Sequence, residues 1–404
     1  MVNNFLDDEK IFELIEKYGS PLYVYSEDIL RGACRGLKNI IKGFNFEISY
    51  SIKANSNIEI IKIIKSEGLF ADAFSIGEMF LLKESGFKGN EIFYVSNNAS
   101  ADEFKYAMEN NILISLDSVS QIEKLGRLYP GSEISIRLNP GRGFGHSEVV
   151  VTAGENTKFG ISQEFIPEVL EAVDKYNLKL VGINQHLGSL FLDYKEYVEG
   201  ARSILNIARQ FKSLKFVDLG GGFGVPYKHT EARLDLEALA NGLNTVISEF
   251  VSGYDNKGII FKAEPGRYLV AESGILLGTV NSVKKNYKTK YVGTDLGLNV
   301  LIRPAMYGSY HELHIARRDK SNNNQEIVTV TGNICETDTI AEGRLLPSAQ
   351  EGDIIAVLTA GAYGYSMSSN YNSRLRPAEV LIKTDGSDVL IRGRDSLESL
   401  LSNY

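Results

Sequence analysis

Cysteine is nearly missing from this chain: Cys34 and Cys335 are the two in 404 residues. Two thiols cannot build a disulfide framework, so a reducing compartment is the expected home. Positive charge is not in excess either. The formal net charge of -8 argues against a nucleic-acid or anionic-membrane partner, which would favour a basic face, and leaves room only for local basic pockets. No stretch reaches the roughly 18 apolar residues that a membrane-spanning helix needs. The N-terminus, MVNNFLDDEKIFELIEKYG, is acidic and lacks a basic segment followed by an apolar run. A soluble, cytoplasmic protein is the expectation. Low-complexity linkers and strict repeats are also absent.

What is present is a rhythm. Runs rich in β-branched and aromatic residues recur at 46–54, 69–76, 91–96, 112–118, 133–139, 179–188, 215–222 and 259–266. Stretches of helical period lie between them, as at 57–66, 163–175 and 235–250. Eight strand–helix units predict a closed parallel (β/α)8 barrel, a fold that takes about 250 residues. After residue 266 the pattern turns strand-rich, at 270–279, 327–334, 354–360 and 379–383, and 21–25 (PLYVY) has strand composition too. The expected fold is therefore α/β plus β. A barrel spans 26–266, and a mostly antiparallel β-domain is made of 1–25 and 267–404.

Polar residues collect at the C-terminal ends of the predicted strands, the face on which barrel active sites form. Lys53 ends the first, Asp72 lies in the second, and Asn97 and Asn98 follow the third. His186 ends the sixth, Gly220-Gly221-Gly222 the seventh, and Glu264-Pro265-Gly266-Arg267 the eighth. Each has a plain structural reading. Lys53 could snorkel from a strand end, the glycines could form a tight turn, Glu264 could sit on the surface, and His186 could be a satisfied core residue. Each also has a chemical one. A lysine whose amine is neutralised by burial can attack an aldehyde. Glycine N–H groups can approach a phosphate. A carboxylate under a pyridine ring keeps its nitrogen protonated, and a histidine can stack on such a ring.

The order Lys53, His186-Leu187-Gly188-Ser189, Gly220-Gly221-Gly222, Glu264-Pro265-Gly266-Arg267 resembles the fold-type III pyridoxal-phosphate-dependent decarboxylases, which join an alanine-racemase-like barrel to a β-domain. The likeness continues through Asn139-Pro140, Lys158-Phe159-Gly160, RPAMY from Arg303, Cys335-Glu336 and GAYGYSMSSNYNSRLRPAEVL from Gly361. The last run and RPAMY resemble the branch acting on meso-2,6-diaminopimelate rather than the ornithine or arginine branches. The resemblance implies pyridoxal 5'-phosphate held by Lys53 as a Schiff base, with His186 on the ring and Glu264 at its nitrogen. Ser189, Gly221, Gly222, Gly266, Arg267 and Tyr363 would grip the cofactor. It further implies that Arg267, Arg303, Tyr307, Glu336 and Tyr363 bind the amino-acid substrate. In the same reading, Cys335 reaches in from the second subunit of a homodimer to donate a proton, giving L-lysine and CO2. The chemistry agrees, since a distal zwitterion needs a guanidinium for its carboxylate and a carboxylate for its ammonium.

The chain departs from the family at Thr337, where serine is common, at Leu190, where glutamine is, and in the DTIAE run from Asp338. A sister decarboxylase for D-ornithine, D-lysine or carboxynorspermidine is the main alternative; retained Arg303, Tyr307 and Glu336 favour a zwitterionic end. An alanine racemase needs a tyrosine where Cys335 stands. A non-catalytic cofactor carrier leaves 267–404 unused, and a barrel glycosidase leaves Lys53 and the glycines unexplained.

Overall fold

The computed structural model describes residues 4–141, 144–145, 154, 157–321, 324–402 and 404. They form two compact units. One contains 32–225 and 233–268; the other contains the N-terminal residues to Arg31, Pro226–Ala232 and Leu269–Tyr404.

All eight expected strands are present in the first unit: β1 (Phe46–Ser51), β2 (Phe70–Ala73), β3 (Ile92–Val95), β4 (Leu113–Leu116), β5 (Glu133–Asn139), β6 (Lys179–Asn184), β7 (Phe216–Asp218) and β8 (Ile260–Ala263). Each pairs in parallel with the next, and β8 returns to β1, so the sheet closes. Helices follow the strands because the loops end in good caps. Asn57 accepts the Glu59 N–H at the start of Ile58–Ser66, Ser75 caps Ile76–Glu84, and Ser100 with Glu103 makes a reciprocal box at Ala101–Glu109.

Side chains alternate across a strand, so register decides what fills the barrel. Phe93 of β3 and Phe216 of β7 meet edge to face at 5.5 Å, packed with Val95 and Val181. Gly182 lies opposite Phe216, and a Cβ there would fall 2.0 Å from its ring. The same faces then carry Ser51, Asp72, Ser115, Ser135, Arg137, Asn184 and Asp218, all buried. A barrel interior is usually filled by branched apolar residues; here a polar set joins the Phe93–Phe216 cluster.

The second unit is built on a nine-stranded sheet. Gly274–Asn286 is its long central strand, antiparallel to Leu22–Ser26, to Thr289–Thr294 and to Ile354–Val357. Helix Asp8–Tyr18 buries Ile11 and Leu14 against Leu22, Val24, Ile275, Leu277 and Val380. The sheet is mostly antiparallel, as expected, with two parallel pairings. Leu22–Ser26 runs parallel to Ala378–Ile382, and Thr289–Thr294 parallel to Gln325–Thr331. The run read as a strand at 270–279 begins later, at Gly274, because Arg267–Val270 closes into a helical turn. Among the described residues no helix is long and apolar enough to cross a membrane, and no group of three or more His, Cys, Asp or Glu could hold a metal ion.

Candidate active site

Lys53 lies just past β1, in the 3-10 turn Ile52–Ala54, with Nζ 6.0 Å from the centroid of Phe74. Ser51, two residues earlier, donates its hydroxyl to Asp72 Oδ2 (2.5 Å) and to the Glu264 carbonyl (3.1 Å), tying β1 to both neighbours. Burial raises the Asp72 carboxyl, and the positive charge of Lys53 works against that rise.

His186 follows β6. Its Nδ1 accepts the Gly221 N–H (3.3 Å), which leaves the proton of the neutral ring on Nε2. Burial, then the charges of Lys53 and Arg137, hold its pKa well below the usual histidine range, so the ring is neutral. The glycine turn is dictated by packing. A Cβ on Gly221 would lie 2.0 Å from the Glu264 carbonyl oxygen and 3.3 Å from the His186 ring, and one on Gly222, at φ +105°, would lie 2.3 Å from the Phe191 ring. Gly266 is similarly hemmed in by Ser51 and Ala54, the latter adjoining Lys53. Arg267 donates through Nη2 to Ser189 Oγ (3.1 Å).

Glu264 follows β8 and is buried. Its carboxyl comes within hydrogen-bonding reach of Asp218 at the end of β7. No described N–H or O–H group donates to Glu264 Oε1 or Asp218 Oδ2. Burial, then the negative neighbours Asp218 and Asp72, push Glu264 far above the ordinary carboxylate range. Arg137, also buried, is the opposing interior cation; it lies over Phe159 at 4.5 Å and lowers both Asp72 and Glu264.

The barrel thus brings Lys53, His186, Gly221, Glu264 and Gly266 into one polar cluster, and Arg267 onto Ser189. Arg137 and Asp218 join the cluster without having been singled out from the sequence. Register places Arg137 opposite Asn184 and Asn184 opposite Asp218, on one face of the closed sheet.

The β-domain carries the remaining candidates in two groups. Arg303 and Tyr307 lie four residues apart on the short helix Arg303–Tyr307, hence on one face. Arg303 is buried, with its guanidinium 4.6 Å over the Tyr227 ring. Separately, Tyr371 donates its hydroxyl to Glu336 Oε1 (2.7 Å) and lies 3.7 Å from Cys335 Sγ, while Asn372 Nδ2 donates to that sulfur at 3.2 Å. Tyr371 was not anticipated from the sequence. Tyr363 adopts φ +56°, a left-handed conformation that a bulky residue takes only when its surroundings impose it.

The cluster fits pyridoxal phosphate on its own chemistry. A buried carboxyl pair short of a donor suits a protonated ring nitrogen, a lysine stands beside it, and a turn stripped of Cβ atoms adjoins both. Residues 28–271 match the pyridoxal binding domain of the pyridoxal-dependent decarboxylases. Diaminopimelate decarboxylase from Methanothermobacter thermautotrophicus is 38% identical over 398 residues, covering 96% of this chain and 92% of that protein. A crystal structure of a diaminopimelate decarboxylase superposes with a TM-score of 0.91 at 32% identity, covering 99% of this chain and 98% of the other. The Helicobacter pylori enzyme, crystallised with L-lysine, superposes with a TM-score of 0.88 at 31% identity, covering 96% and 98%. With a shared barrel, a shared β-domain and nearly complete overlap in length, this chain belongs to the diaminopimelate decarboxylase family of pyridoxal-phosphate-dependent enzymes.

Proposed function

We propose that the protein removes one carboxylate from meso-2,6-diaminopimelate, releasing CO2 and leaving L-lysine. An L product requires that the D-configured centre be the one decarboxylated. Bound pyridoxal phosphate supplies a conjugated sink for the electron pair left on that carbon. Lys53 offers Nζ as its covalent anchor, and Glu264 keeps a proton at the ring nitrogen. His186, neutral and held by the Gly221 N–H, offers a flat face. Ser189, Gly221, Gly222, Gly266, Arg267 and Tyr363 complete the cofactor's hold, with the backbone N–H groups and Arg267 directed to the phosphate.

Arg303 and Tyr307 take the distal carboxylate of the substrate, Glu336 takes the distal ammonium, and Arg267 and Tyr363 also contribute to substrate binding. Cys335 returns a proton to the carbon that lost CO2. The working unit in this reading is a homodimer in which Cys335 and Glu336 serve the partner's barrel, and the partners are small amino acids rather than nucleic acid.

The observation that carries the reading is the buried Asp218–Glu264 pair, whose Oδ2 and Oε1 atoms receive no donor among the described residues, within the electrostatic reach of Lys53. An N–H⁺ there turns a costly carboxyl pair into a charge-assisted hydrogen bond. The test is product analysis of the cofactor-loaded enzyme on meso-diaminopimelate, D-lysine and D-ornithine in parallel. L-lysine from the first, with far slower turnover of the other two, is the expected result; preference for D-lysine or D-ornithine would overturn the substrate assignment.

A further inference from the structure

The guanidinium of Arg303 is held by a histidine. Nη1 lies 2.8 Å from His311 Nε2, and His311 Nδ1 lies 2.9 Å from the Leu358 carbonyl oxygen. These partners dictate the tautomer. Arginine only donates and a carbonyl only accepts, so Nε2 must be the bare acceptor and Nδ1 must carry the proton. His311 is itself buried, at 1% exposure, and has little room to move. The Tyr227 ring meets it edge-on at 5.2 Å while lying flat beneath Arg303 at 4.6 Å. The His311 carbonyl accepts from Arg344 Nη2 (3.0 Å), and Arg344 lies on the Tyr310 ring next door.

The far end of the chain of contacts also bears on substrate. Leu358 precedes Thr359, a buried β-branched residue at φ +55°, and the same segment runs on to Tyr363 at φ +56°. β-Branched side chains rarely tolerate that conformation, so the backbone after Leu358 is fixed at some cost.

We propose that His311 is a positioning residue for substrate selection. It fixes Arg303 in the orientation that receives the distal carboxylate, and it ties Arg303 to the strained segment that presents Tyr363. This rests on the assignment of Arg303 to that carboxylate. A guanidinium clamped on one edge has its plane fixed, and a carboxylate bound by a preset fork loses less freedom than one bound by a mobile side chain.

L-lysine and cadaverine differ by the one carboxylate in question, so their binding to the cofactor-loaded enzyme, measured by titration calorimetry, isolates the effect. Wild type is expected to prefer L-lysine. His311→Leu, which removes both hydrogen bonds, should weaken L-lysine by about tenfold, the size of one hydrogen bond to a charged group, while shifting cadaverine by less than about twofold. In His311→Gln the side-chain oxygen can stand where Nε2 stood, and L-lysine binding should return to within about threefold of wild type. His311→Asn keeps the bond to Leu358 alone and should behave like the leucine variant. It carries the prediction if His311→Leu does not fold by circular dichroism. Equal weakening of both ligands, or a glutamine variant no better than leucine, would overturn the role of His311. A wild type that binds the two ligands equally would instead overturn the Arg303 assignment, and this proposal with it.

Discussion

Asp218 and Glu264, carried on adjacent barrel strands, meet as a buried carboxyl pair that a single shared proton can satisfy. Burial is the first cause that raises both carboxyls; the charges of Asp218 and Asp72 raise Glu264 further, while at Asp218 the Gly220 N–H and Lys262 work against the rise. The sign of the consequence follows from linkage. The unfolded carboxyls titrate near 4, so above that pH the native chain still holds protons that the unfolded chain has released. The pair therefore favours the cofactor-free fold most at low pH, and that contribution is lost as pH rises through the folded values. Glu264→Gln removes the second acid. In cofactor-free protein the melting temperature of the variant should match wild type near pH 5 and exceed it by at least about 2 °C at pH 8. A gap that is the same at both pH values would show that the pair does not titrate in this range.

Lys53 is expected to be the point of covalent attachment. Borohydride reduction of the loaded enzyme followed by peptide mapping should place the pyridoxyl group on Lys53, and Lys53→Ala should abolish the visible absorbance of the bound cofactor. Label on another lysine would refute the assignment.

The sequence made the barrel legible because its strands are short apolar runs bounded by capped helices, and a period-two pattern survives even where one face is polar. The β-domain was harder to read. Thr289–Thr294, Leu313–Ala316, Thr339–Pro347 and Asp388–Arg392 were not anticipated, being either short or only partly buried over much of their length. The parallel pairing of Leu22–Ser26 with Ala378–Ile382 joins segments more than 350 residues apart, which no local pattern encodes. In the site, the motif residues stood out by their spacing. Arg137 and Asp218 did not, because each looks like an isolated charge in a strand until closure of the sheet turns it inward. His311 was hidden for the same reason, since its meaning depends on Leu358 and Arg303 together.

Two glycines separate close packing from backbone freedom. Gly221→Ala drives a methyl to 2.0 Å from the Glu264 carbonyl oxygen. Backbone cannot swing aside as a flexible side chain can, so a loss of about 1–3 kcal/mol in stability is expected, together with weakened cofactor binding. Gly32 lies exposed within helix Glu27–Lys38 with open space where its Cβ would be. Gly32→Ala should stabilise by up to about 1 kcal/mol. Urea unfolding of the two variants measures both; a neutral Gly221→Ala would mean the turn can relax.

The shared active site has the most direct test. Lys53 belongs to the barrel and Cys335 to the other compact unit, where Cys335 is exposed beside Tyr371 and Asn372. If each cysteine serves the partner's barrel, every site in the dimer takes Lys53 from one chain and Cys335 from the other. A two-fold axis makes both sites equivalent, so Lys53→Ala and Cys335→Ala should each be inactive as pure dimers. In a mixed dimer one site inherits both defects, while the other combines an intact lysine with an intact cysteine. Random exchange of equal amounts makes about half of the dimers mixed, each with one live site, so activity should return to roughly a quarter of wild type. Exchange itself must be followed, by mass spectrometry of differently tagged chains, because subunits that never exchange would give no recovery for a trivial reason. If mixed dimers form and stay inactive, Cys335 serves the site of its own chain or does not supply the proton. Recovery near a quarter leaves neither alternative standing, since a site drawing both residues from one chain stays dead in every combination of these variants.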